Sequence, residues 1–223
     1  MNQKNNSSEL FDSFIRIHKV ITRGLRVGLS RGTGFANHGF PPGNIQQGFS
    51  DYLQSLVSVL TAHHLAEDGL IFPYLRSKHL SAPYGRLTAN HVSMGKLLRL
   101  AGEIIPDMAG ASPDEGIGMV CEHFRRVSEI WKPHIDTEES SFTSQAFADS
   151  LTPTEQSQLN ADMGKFASEH TNPPELVLPF VLFNLAGADR AGMARTIPEP
   201  VIQDLIMKEW RPRWAAMQPF LLD

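Results

Sequence analysis

Along the first two thirds of the chain, inward-facing residues recur in alternating steps of three and four, the spacing that lines one face of an α-helix. The pattern predicts a first helix over about residues 8–30, with Phe14, His18, Ile21, Leu25 and Gly28 on its inner face. A second, over about 49–77, presents Phe49, Leu53, Leu56, Leu60, His63, Glu67 and Leu70. A third, over about 85–108, presents Leu87, His91, Met94, Leu98, Ala101, Ile105 and Met108. A fourth, over about 114–143, presents Ile117, Val120, Phe124, Val127, Trp131, His134, Glu138 and Ser141. Strand signals are scarce. Glycine and proline make residues 31–44 a loop, and short turns are expected around Ser81–Tyr84 and Gly110–Pro113. Short connections make neighbouring helices antiparallel, so the expectation is an all-α, up-down four-helix bundle. Pro133, which lacks a backbone donor, should kink the fourth helix just before His134.

Beyond about residue 147 the pattern changes. Thr152, Pro153 and Glu155 form a helix start with a capping box, and the prolines of HTNPP end that helix. PELVLPFVLFNL and EPVIQDLIMKEWRPRWAAMQPFLL read as further helices, too apolar to stand alone and expected to pack on the bundle. Two parts follow: residues 1–147 as the bundle and 148–223 as a C-terminal helical extension.

Composition adds only boundaries. With 223 residues, 20% charged and 41% apolar, the chain has enough material for a real core and is not of disordered type. A net charge of −4 gives no basic footprint for nucleic acid. No signal-peptide pattern or long apolar run is visible, and a single cysteine, Cys121, precludes an internal disulfide framework. These features predict a cytoplasmic protein with neither nucleic acid nor membrane as partner.

The chemistry lies in what occupies the seams. A lone buried histidine is ordinarily a hydrogen-bonded core residue. Here each of the four helices carries one on its inner face: His18, His63, His91 and His134. Glu67 and Glu138 follow two of them at a spacing of four, which stacks each pair on one helical face. At about 1.5 Å per residue, the helix lengths bring all six to one level within roughly a turn. Buried carboxylates without compensation are very costly. Imidazole and carboxylate together suit iron, zinc, manganese or nickel, and two glutamates among four histidines have donors for two ions.

The ordered set His18, HHLAE (63–67), His91 and HIDTE (134–138) resembles the hemerythrin-like, or HHE cation-binding, family, over about residues 10–145. The resemblance implies a four-helix bundle with a non-haem di-iron centre. It implies Glu67 and Glu138 as bridges and His18, His63, His91 and His134 as terminal ligands. Oxygen carriers of this kind have a second histidine one turn before the third-helix ligand, where this chain has Leu87. His64 is the substitute at hand, either as a ligand or as a neighbour of one. Carriers also tend to close on HxxxxD, whereas this chain has HxxxE. Both departures point away from a dedicated carrier and towards sensing, redox or iron handling.

Other motifs carry less. ExxH and HExxH are absent, which removes ferritin-like di-iron enzymes and zinc proteases of the familiar type. Cys121 reads as an inert buried thiol, and His38, His79, His123 and His170 as surface or capping residues. Asp68, Asp136 and Glu139 adjoin the ligands and read as parts of a solvated face, with a supporting role behind the ligands as the alternative. Trp210 and Trp214 read as packing. Three functions remain open. The first is a di-iron protein responding to O2, peroxide, nitric oxide or iron in sensing or protection. The second is a redox enzyme consuming peroxide or O2. The third is a protein with a structural metal and an interaction tail. Two iron ions are the expected cofactor, replaceable by zinc or nickel. A small diatomic ligand or peroxide is the expected partner, with a protein partner or homodimer contact through the C-terminal helices.

Overall fold

A computed structural model describes residues 9–41, 43–109 and 113–223, and every regular element among them is helical. Helix α1 spans Glu9–His38, and α2 spans Asn44–Ala66. Without a break, α2 passes into a π-helical turn, Glu67–Ile71, and then into α3, Phe72–Ser77. Helix α4, Tyr84–Ile104, tightens into a 3-10 stretch at Ile105–Ala109. Helix α5, Pro113–Ser141, runs on through Pro133. The turn expected around Gly110–Pro113 lies, at 110–112, outside the described residues. No helix among the described residues is long and apolar enough to cross a membrane.

Two expectations are corrected here. Residues 31–38 are helix, not loop, and α1 breaks only beyond His38, where Gly39 and Gly43 take φ of 90° and 72°. Gly32 is where α1 crosses α5: a Cβ there would run into Cys121 Sγ, so this glycine permits close approach instead of marking a turn. The second correction concerns Leu70, which is half-buried, while Ile71 and Phe72 are buried. A π turn holds one residue more than an α turn, and the extra residue rotates the following face by one position.

The long helices meet pairwise. His18 lies beside Glu139, Thr22 beside Trp131 and Gly32 against Cys121, where α1 faces α5. On α2, Leu56, Leu53 and Phe49 meet Gly24, Gly28 and Gly32 of α1. On α4, Thr88 donates to Asp68 and Gly102 lies against Val57.

The C-terminal part comprises α6 (Ser144–Ser150), α7 (Pro153–His170), α8 (Pro174–Phe183) and α9 (Gly187–Ala194). A π-helical stretch Val201–Glu209, α10 (Arg211–Trp214) and a 3-10 stretch Ala215–Phe220 complete it. The capping box at Thr152 and Glu155 forms as the sequence predicts. Helices α6 and α9, with seven and eight residues, are too short for periodicity to reveal. Phe180, Ile206, Trp214, Met217 and Phe220 enter the same apolar cluster as Leu53, Leu56 and Phe124. A second cluster gathers Phe14, Phe72, Leu87, Phe142 and Phe147.

Candidate metal centre

Between these two clusters the fold buries seven polar side chains, none more than 8% exposed. His18 comes from α1, His63 and His64 from the last turn of α2, and Glu67 from the start of the π turn. His91 comes from α4, and His134 and Glu138 from α5. The i,i+4 spacing sets His63 Nε2 3.3 Å from Glu67 Oε2, and His134 Nε2 3.2 Å from Glu138 Oε1. Each glutamate also meets a histidine of another helix: His91 Nε2 lies 3.2 Å from Glu67 Oε2, and His18 Nε2 3.4 Å from Glu138 Oε2. His91 and His134 turn Nε2 towards Nε2 at 3.1 Å.

These atoms fall into two sets. Donor atoms of His18, His63, Glu67 and Glu138 lie within 4.8 Å of one another, as do those of Glu67, His91, His134 and Glu138. Both carboxylates belong to both sets. His64 joins His91 and His134 in a third such cluster, and its ring stacks on His91 with centroids 4.3 Å apart. That places His64 on the His91 side. Leu87, one turn before His91, is fully buried in the apolar cluster and brings no donor.

The arrangement could hold a cation. Nε2 of His18, His63 and His64 and all four carboxylate oxygens are buried without a hydrogen-bond partner. A buried unsatisfied polar group costs about 1–3 kcal/mol, so seven together would weigh heavily on the fold. At metal–ligand bonds of about 2.1 Å, adjacent ligands of one ion stand about 3.0–3.4 Å apart, which is the range of separations found here.

Two further residues complete the cluster and take the supporting role instead of joining a solvated face. Glu139 Oε1 lies 2.9 Å from His18 Nδ1, and Asp68 Oδ2 lies 3.0 Å from His91 Nδ1. Each stands behind an imidazole whose Nε2 points inward, the arrangement that fixes tautomer and ring orientation for a metal ligand. Both follow a seam glutamate directly, and that adjacency is the signal a sequence offers for them. Asp136 does face solvent, paired with Lys132. Trp131 packs beside four of the imidazoles, its centroid 5.5 Å from His18, 5.7 Å from His63, 5.9 Å from His134 and 6.4 Å from His64. Phe14 at 4.4 Å from His18 and Phe72 at 5.6 Å from His91 close the cluster on its other side.

Burial dominates the proton affinities of the metal-free cluster. It lowers His63 and His64 well below the ordinary imidazole range, helped by neighbouring imidazoles, and lowers His91 as well. Burial also opposes charge on His18, but Glu138 and Glu139 outweigh it and hold that imidazole above its usual value. Glu67 is pushed well up by burial and then by Glu138. Burial acts on Glu138 too, yet His134 and His18 keep it below the usual carboxylate range.

Among the remaining histidines, His38, His79 and His170 are exposed and His123 is half-buried; none belongs to a cluster of donors. His38 and His170 contact carbonyls of their own helices, and His79, at φ 60°, ends α3. Burial raises the Cys121 thiol, in keeping with an inert role. Trp214 is buried, with its indole donating to the Ile206 carbonyl.

The model of one family, the hemerythrin HHE cation binding domain, matches residues 10–146. No curated protein and no solved structure matches the chain.

Proposed function

The chain belongs to the hemerythrin HHE cation-binding domain family, and from that premise we propose that it binds two iron ions and responds through them to O2, peroxide or nitric oxide, in sensing or protection. The observation that carries this reading is the sharing of Glu67 and Glu138 between two four-residue donor sets. His18 and His63 would hold one ion and His91 and His134 the other, with the two glutamates as bridges. His64 stands ready as a further nitrogen on the His91 side. Opposed numbering along the contacts of α1 with α2 and α5, and of α2 with α4, supports an antiparallel four-helix bundle around the pair.

Bound iron supplies redox chemistry and a coordination position for a small ligand. The chain's own residues do the rest. Glu139 and Asp68 keep a proton on the outer nitrogen of His18 and His91, which leaves the inner nitrogen free to ligate. Trp131, Phe14 and Phe72 exclude water and lower the local dielectric. Leu87 brings no nitrogen to the His91 side. With His64 off the ion, an open position favours reaction over reversible storage; with His64 bound, the ion is closer to saturated and slower to react.

The same feature supports a second reading, an enzyme consuming peroxide or O2, and sustained turnover of added peroxide would separate the two. A third, a structural ion with an interacting tail, predicts a redox-silent metal such as zinc. Metal analysis and a visible spectrum of aerobically purified protein are the direct test. We expect about two transition-metal ions per chain, mainly iron. Glu67→Ala or Glu138→Ala should lose both ions together, and a variant keeping one ion in full would overturn the bridging arrangement.

A further inference from the structure

A cleft of about 420 Å³ runs between α2 and α4 and ends on His64 and His91. Val57, Leu65, Val92 and Leu98 make its walls, with Leu65 47% and Val92 55% exposed at the rim. Gly95 keeps it wide, since nothing stands within 4 Å of the place its Cβ would take. Asp68, the half-exposed carboxylate behind His91, also lines it. At the inner end His64 holds its buried, unpartnered Nε2. A second hollow, between Ala194 and Gln203, touches none of the seven site residues.

We propose that the α2–α4 cleft is the route by which small uncharged molecules pass from solvent to the site, with His64 at its threshold, so that the His91–His134 set is reached before the His18–His63 set. This rests on the two-cation reading above. Apolar walls let a neutral molecule enter without the cost of stripping hydration from a charge. Asp68 repels anions, and Arg99 at the mouth is held in an ion pair with Glu103 at 2.6 Å. His64 and His91 line the cleft, whereas His18 and His63 do not. Access through this cleft would therefore favour the His91–His134 set despite the matched ligands.

The test plugs and widens the cleft in the full-length, iron(II)-loaded protein. Nitric oxide association, followed by stopped-flow absorbance, should slow at least several-fold in Gly95→Phe and in Leu65→Trp, and quicken in Leu65→Ala. Gly118→Phe, on an exposed and open stretch of α5, should leave the rate unchanged. A second readout uses diethyl pyrocarbonate, a small neutral acylating reagent, with mass spectrometry of the protein as purified. Acylation of His64 should slow in Gly95→Phe while that of exposed His79 and His170 stays constant. Equal nitric oxide rates in wild type and in a folded Gly95→Phe with full metal content would overturn the route, as would acylation reaching His63 or His18 before His64. A wild type without two ions would instead defeat the two-cation reading, and the acylation pattern would still judge the cleft.

Discussion

At the scale of single residues, His63 with Glu67 and His134 with Glu138 were legible because i,i+4 spacing is a property of one helix. Asp68 and Glu139 were legible only as neighbours of the seam glutamates, because the imidazoles they support stand on other helices, 23 and 121 positions away in the sequence. His64 could not be assigned from sequence because its side depends on how α2 turns towards α4. The structure puts it against His91. From the two outer carboxylates follows a prediction about affinity. Asp68→Asn and Glu139→Gln keep the shape and remove the charge behind His91 and His18. Each should weaken metal binding about 10–100-fold, measured by competition with a chromophoric chelator. Asp136→Asn, on the same helix as Glu139 but paired only with Lys132, should change nothing. Affinities alike in all three variants would reduce Asp68 and Glu139 to bystanders.

At the scale of elements, signals confined to one helix were read well and signals set by tertiary contact were not. The capping box of α7 lies within four consecutive residues, Thr152 to Glu155, and it forms as the sequence predicts. Thr152→Ala should cost about 1 kcal/mol in urea denaturation, the usual worth of an N-cap. The end of α1 was misread because Gly32 and Gly34 look like turn residues, yet Gly32 serves the approach of α5. Gly48 makes the same point more strongly. A Cβ there would lie 1.8 Å from the Ala216 carbonyl oxygen, a backbone atom that cannot rotate aside. Gly48→Ala should therefore push the Ala215–Phe220 stretch off α2, at about 1–3 kcal/mol by the measure of overpacked cores. A Gly48→Ala variant as stable as wild type would mean that this stretch sits loosely. The π turn at Glu67–Ile71 was invisible for a related reason: the sequence is helical in composition, and only packing on both sides shows the extra residue.

At the scale of the molecule, the family match stops at residue 146, but the apolar cluster does not. Arg23 donates to Asn184 and, at 2.9 Å, to the Phe220 carbonyl, tying α1 to the C-terminal part. Cutting the chain after residue 147 would bare Leu53, Leu56 and their neighbours, so the fragment should melt lower than the full chain or aggregate. Within this shared fold, bound metal and stability are linked, because the unfolded chain has no preformed site and the ion favours the native state by mass action. Stripped protein should melt at a lower temperature. Its pH dependence follows from the direction of each shift. His63, His64 and His91 are lowered from 6.5, so the unfolded chain takes up protons that the native state refuses, and stability falls as pH drops below about 6.5. His18 is raised and opposes this: its contribution is complete below about 6.5 and fades as pH climbs through its folded value. The three lowered histidines weaken the stripped protein on the acid side, and His18 weakens it on the alkaline side. Raised Glu67 adds a loss as pH rises from the ordinary carboxylate range through its own higher value, so the stripped protein is weakened from that side too. Calorimetric scans of loaded and stripped protein between about pH 5 and 8 should separate the two forms most clearly near neutrality. There the ion satisfies buried donors that otherwise have no partner, and acid has not yet displaced it. Melting temperatures that coincide there after verified metal removal would show that the seven buried groups find other partners, and the case for a cation-dependent core would fail.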